Sequence, residues 1–173
     1  MPFPNSGVVN LSTRSGVVEF VFAKLNTLQN ANIGANDHVK WDTVLSSRGG
    51  AVALDTTTAF SAATGAASIG RFTLKAGLTY KLTASIPYLL GSGATGLLDV
   101  QWFDATANAA LPGVICSLLV ATTATNDIGG GVAVAFFTPS VDTLVELRII
   151  TATALTQIGT TGARSPWALV ETI

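Results

Sequence analysis

From residue 78 the chain alternates. Leu78, Tyr80, Leu82, Ala84 and Ile86 fall on one side, and Thr79, Lys81, Thr83 and Ser85 on the other. A period of two puts one set against a core and leaves the other open, so the spacing predicts a half-buried strand. The preceding residues 70–74 and a KAG turn at 75–77 complete a hairpin. Similar strand signals recur at 38–45, 51–55, 97–105, 113–122, 132–137, 143–153 and 166–173. Between them lie SSRGG (46–50), the loop at 56–70, SGATG (92–96), TATNDIGGG (123–131) and TPSVD (138–142). Gly, Pro, Asn and Asp mark these as turns and loops. The 3.6-residue period of a helix is essentially missing after residue 35. About 8–10 short antiparallel strands predict an all-β sandwich or barrel.

Two segments, 113–122 and 132–137, are apolar on both faces. The outward face of a two-layer antiparallel sandwich is ordinarily polar. The pattern therefore predicts that a second chain covers this one. Phe136 and Phe137 must point opposite ways, one between the sheets and one toward the covering chain.

The first 34 residues read differently. Pro2, Pro4, Gly7 and Gly16 oppose regular structure. In VVEFVFAKLNTLQNANI (17–33), Val17, Val18, Phe20, Val21 and Phe22 favour a strand, whereas Phe22, Leu25 and Leu28 suit a helix face. Either way the segment is expected to lie outside the body. The division is an extended N-terminal arm over 1–34 and one domain over 35–173.

Composition sharpens the case for a covering chain. Of 173 residues, 49% are hydrophobic and only 11% charged, where about a quarter charged is usual. The mean hydropathy is +0.52. Net charge is −1 and no Lys/Arg run occurs, which argues against nucleic acid as a partner. The single Cys116 excludes an intrachain disulfide and, within GVICSLLV, reads as a buried inert thiol. No basic-then-apolar start suggests a secretory signal, and no apolar run is long enough to span a bilayer. No membrane partner is expected.

Reactive groups are few. His38, the only histidine, sits beside Asp37 at a strand start and reads as an exposed structural residue. A Ser–His–Asp triad stays open, since its members need not be neighbours, but no Gly-x-Ser-x-Gly elbow occurs. One His and one Cys do not suit zinc. Asn126 and Asp127 beside glycines 129–131 are the best calcium candidates, with a plain turn the preferred reading. The triple glycine lacks the Lys-Ser/Thr of a phosphate loop. Asp99 and Asp104 fall on opposite faces of one strand, which disfavours paired-carboxylate chemistry. Trp41, Trp102 and Trp167 read as core residues. Phe60 and Tyr88 are the loop aromatics available to a glycan, the weaker alternative as partner. No catalysis, cofactor or metal is expected.

The segment TG…GRFTLKAGLTYKLTASI resembles the central signature of the complement subcomponent q and tumour-necrosis-factor superfamily. Thr64, Gly65, Gly70, Phe72, Thr73, Gly77, Tyr80 and Leu82 carry the likeness. HVKWDTVLSSRGG resembles the family's first strand and turn. SVDTLVELRI resembles its Gly-Asp-x-Val-x-Leu strand, with Val141 and Asp142 in place of Gly-Asp. RSPWALVETI sits where the last, central strand would be. The resemblance implies a ten-stranded jelly-roll β-sandwich, a homotrimer about an apolar axis, binding through outer loops, and no active site. There is no Gly-X-Y stalk, no acidic cluster for calcium, and one tyrosine where an aromatic pair is usual.

The small, Thr/Ala/Gly-rich composition and N-terminal arm are similar to those of jelly rolls in tailed-phage virions. That similarity implies a capsid decoration (cement) protein, made in the host cytoplasm, that binds the major capsid protein. The alternative is a receptor-binding knob at a fibre tip, and a third reading is a lectin-like module working alone. On the cement reading the arm contacts its partner through Phe3, Val17, Val18, Phe20, Phe22 and Leu25. The trimer axis takes Val132, Val134, Phe136, Trp167, Leu169 and Val170. A register slip of one residue would exchange the faces.

Overall fold

A computed structural model describes residues 17–27, 29, 33–56, 70–90, 95–121, 128–129, 131–153, 155–158 and 165–173. Among them there is no helix. The strands are β1 (Phe20–Lys24), β2 (Thr43–Arg48), β3 (Val52–Leu54), β4 (Phe72–Leu74) and β5 (Tyr80–Ser85). Next come β6 (Tyr88–Leu90), β7 (Thr95–Asp104), β8 (Ala109–Ala110), β9 (Gly113–Val114) and β10 (Cys116–Ala121). The last are β11 (Ile128–Gly129), β12 (Val132–Phe137), β13 (Thr143–Thr153), β14 (Leu155–Ile158) and β15 (Trp167–Thr172). The first sheet runs β2-β1-β15-β5-β12-β9, the second β10-β7-β13-β4-β3 with β8 beside β7, and a small third β11-β6-β14. The expected all-β jelly roll is what forms.

The core lies between the first two sheets. Its large members include Trp41, Trp102, Tyr80, Phe72, Leu74, Leu82, Leu147 and Ile149. Phe72 meets Trp102 edge-on at 6.0 Å, an arrangement aromatic quadrupoles favour. The Trp102 indole N–H donates to the Ala133 carbonyl at 3.3 Å, tying the second sheet to the first. The expected alternation of β5 holds: Tyr80, Leu82 and Ala84 are buried, and Lys81, Thr83 and Ser85 are half-buried. Gly70 adopts φ +77°, and a Cβ there would lie 2.5 Å from the Trp41 backbone nitrogen. Glycine meets both demands, the left-handed φ and the close approach.

Three expectations are corrected. Residues 17–33 are not wholly an arm. β1 is a strand inside the first sheet, paired with β2 and β15. Beyond it, Gln29 is buried at the third sheet, where its backbone exchanges hydrogen bonds with Ile158. The Gln29 side chain donates to the His38 carbonyl (3.0 Å) and accepts the Lys40 N–H (3.1 Å), so one amide stands in for a strand. The body therefore begins near Glu19, not at 35.

Second, 113–122 is two strands in different sheets, β9 and β10, with the switch at Ile115. Part of its two-sided apolar character reflects that crossing. Third, 38–45 also divides. His38 bridges Arg148 of the second sheet, whereas β2 starts at Thr43, joins the first sheet and runs through the Ser-Ser-Arg expected to turn. Such splitting and several two- and three-residue pieces explain why the strands outnumber the expected 8–10.

Candidate interaction face

The pairing register maps the outward face of the first sheet as rows of neighbours. One row is Phe20, Glu171, Lys81, Phe136. The next is Phe22, Leu169, Thr83, Val134, Val114. The third is Lys24, Trp167, Ser85, Val132. Below the first row lie Val18, Ile173, Thr79 and Thr138 by the same alternation; Ile173 N–H donates to the Thr79 carbonyl at 3.0 Å, and the Thr79 and Thr138 hydroxyls are 2.9 Å apart. β5 thus runs a polar column through apolar flanks. Phe22 meets Trp167 edge-on at 6.1 Å.

This face is open in the single chain. Val132 is 49% and Phe136 51% exposed. Among the described residues the exposed large hydrophobics are Val17, Val18, Val44, Leu45, Val114, Ile115, Val132, Phe136, Val141 and Ile173. All but Val141 lie in the first sheet or immediately beside it. Of these, Val18, Val114, Val132, Phe136 and Ile173 fall on the mapped outward face, and exposed apolar side chains gathered in this way mark an interaction surface.

The second sheet's outward face is chemically different. Glu146 is 1% exposed. Its carboxylate accepts from Arg71 Nε at 2.7 Å and from Arg148 Nε at 2.7 Å, and His38 Nδ1 lies at 3.8 Å. Burial pushes the carboxyl up, but hydrogen bonds from Arg148 and Arg71, with the charges of His38 and Arg71, outweigh it and hold the group below its ordinary range. Arg148 also donates to Asn108 Oδ1 (2.6 Å) and stacks 4.2 Å from the centre of the Phe103 ring. His38 is buried here, not exposed as expected, because residues 36–39 run along β13 and exchange backbone hydrogen bonds with Leu147 and Ile149.

Five of the six residues expected at an assembly axis share the open face: Val132, Val134, Phe136, Trp167 and Leu169. Val170 is corrected. It is 0% exposed and packs in the core, since its neighbours Leu169 and Glu171 take the outward positions. Of the expected arm contacts, Phe20 and Phe22 belong to this same face, and Leu25 is 4% exposed and buried in the body. Val17 and Val18 are exposed at its margin, and Phe3 lies outside the described residues. Val114 belongs to the segment 113–122 expected to be covered by a second chain but is not among the six axis residues, and Phe20 and Phe22 are assigned to the arm instead. The alternation in FVFAK was the available signal. The calcium candidates Asn126 and Asp127, Phe60 of the glycan reading, and Thr64 and Gly65 of the signature also lie outside the described residues. Among the described residues no group of three or more His, Cys, Asp or Glu is placed to hold a metal.

No family model and no curated protein matches the chain. Solved structures do match in shape. Murine APRIL at pH 5.0 superposes with a TM-score of 0.60 at 10% identity, covering 91% of this chain and 100% of that one. Eiger TNF from S. frugiperda superposes with a TM-score of 0.55 at 12% identity, covering 90% and 91%. The fold is a jelly roll of the tumour-necrosis-factor type.

Proposed function

We propose that this chain is a non-enzymatic adhesion protein that works as a homotrimer, with the outward face of the first sheet as its self-association surface. The observation that carries the reading is the concentration of exposed large hydrophobics on that sheet. Burying apolar area stabilises an assembly by about 25 cal/mol per Å² before the costs of association. Most of this work falls to shape and apolar area. Three copies is the number implied by the resemblance of the central hairpin to its superfamily.

The finer reading is a capsid decoration protein whose N-terminal segment, before β1, binds the major capsid protein. Its support is the Thr/Ala/Gly-rich composition and the likeness to tailed-phage jelly rolls. Three such segments on one trimer would act at high effective concentration, so a modest contact per arm adds up to firm attachment.

The test is native mass by light scattering on the full chain and on a variant lacking residues 1–16, followed by co-sedimentation of both with capsid shells. The expected result is three times 17.7 kDa for the full chain and three times its own smaller chain mass for the variant, with only the full chain sedimenting with shells. A monomer at all concentrations would overturn the self-association reading. A trimer that ignores shells and adheres to whole host cells would replace the cement role with the fibre-tip knob.

A further inference from the structure

The open face carries one feature that an apolar partner would not satisfy. Lys81 Nζ and Glu171 Oε1 lie 3.5 Å apart, with side chains 41% and 24% exposed. They occupy the middle of the row Phe20, Glu171, Lys81, Phe136. Leu169 and Thr83 flank them above, and Ile173 and Thr79 below. The other charges at this face stand apart. Lys24 is at the far end of β1, and Arg48, the partner of Phe20 on β2, ends the same row with Phe20 between it and Glu171.

An ammonium has three donors and a carboxylate about four acceptor positions. The contact within the chain is a single ion pair at 3.5 Å, which leaves most of that capacity over. If the surrounding phenylalanine, leucine and isoleucine side chains are covered, water leaves this pair as well. A desolvated ion pair with unmet hydrogen-bonding capacity is unfavourable, and it is tolerated only when further partners are supplied. A second copy of this chain offers a matching set, one ammonium and one carboxylate in the same setting.

We propose that Lys81 and Glu171 form the registering contact between copies, each ammonium pairing with the neighbouring copy's carboxylate within the apolar interface. This rests on the self-association reading above and adds how the copies choose one alignment. Apolar contact is non-directional and permits sliding. Opposed charges do not, because a misaligned copy brings like charges together.

The experiment uses full-length Lys81→Glu, Glu171→Lys and the double exchange, with circular dichroism to verify that each folds. Each single variant, with two like charges per copy, should associate at least about 30-fold more weakly than the parent, as removal of a buried charge partner generally does. The double exchange should associate with itself as well as the parent does. Parent and double exchange, isotopically distinguished and mixed, should form no hybrids by native mass spectrometry, since a hybrid contact sets Lys against Lys and Glu against Glu. Single variants that associate normally, or hybrids in statistical ratio, would overturn the registering role while leaving self-association intact. A monomeric parent would overturn both.

Discussion

The two outward faces of the sandwich arise from the same alternation and end in different states. On the second sheet, Glu146 is buried, yet Arg71 and Arg148 reach it at hydrogen-bond distance, and Arg148 is held further by Asn108 and Phe103. Those charges find partners within the chain. On the first sheet, Val132, Phe136 and Val114 stand open, and Lys81 and Glu171 meet through a single longer contact. A side chain answered internally contributes to the stability of one molecule. An unanswered apolar side chain contributes only once something covers it. The two faces should therefore separate folding from association.

Mutations can break that separation or sharpen it. The largest expected effect is on the second face. Glu146→Ala leaves two guanidinium groups without their buried partner and should cost about 3 kcal/mol of folding stability, the range seen when one member of a buried pair is removed. Urea unfolding measures it, and native mass at a concentration where the variant remains folded should be unchanged. The first face should behave conversely. Val132→Lys with Phe136→Lys places charge where apolar cover is needed and should yield a monomer by light scattering. Because both side chains are already about half exposed, the monomer's own stability should move by no more than about 0.5 kcal/mol per site.

Acidity provides a smaller effect with a definite sign. Glu146 is held below its ordinary value of 4.5. A depressed carboxyl favours the folded state when ionised. Its contribution is complete above 4.5 and is lost as pH falls through the folded-state value. Thermal scans should show the melting temperature falling on acidification below that point, and Glu146→Gln should flatten this part of the profile. The smallest effect belongs to Lys75→Ala. The Lys75–Asp142 pair is exposed on both sides, so the melting temperature should stay where it is.

The body of the fold was legible because its code is local. Alternation through 78–86 marked β5 and its buried face, and the apolar strand 143–153 matches β13 end to end. Trp41 and Trp102 read correctly as core, whereas Trp167 is half-buried on the outward face against Phe22. Phe136 and Phe137 do take opposite sides, Phe136 open and Phe137 packed against the core. What escaped the sequence was the change of sheet. Nothing in GVICSLLV states that its first residues pair with β12 and its later ones with β7. Register across strands also decided single residues, Val170 above all, for which a one-position shift exchanges core and surface. β1 is ambiguous in the sequence because Phe22, Leu25 and Leu28 offer a helix face that competes with the period of two in FVFAK. Its place between β2 and β15 depends on partners far away in the chain.

The chain enters β1 and leaves β15 at the same end of the molecule. Thr172 N–H donates to the Glu19 carbonyl at 2.8 Å, and Glu19 N–H to the Thr172 hydroxyl at 2.9 Å. A ring of such chains around one axis parallel to these strands would have two unlike poles. Glu19 and Thr172 of every copy would lie at one pole. The two poles of such a particle would differ, and strand direction alone would decide which is which. The same adjacency makes the molecule a good subject for circular permutation: a short linker from residue 173 to residue 17 should be accommodated, with new ends opened at an exposed turn such as 75–77.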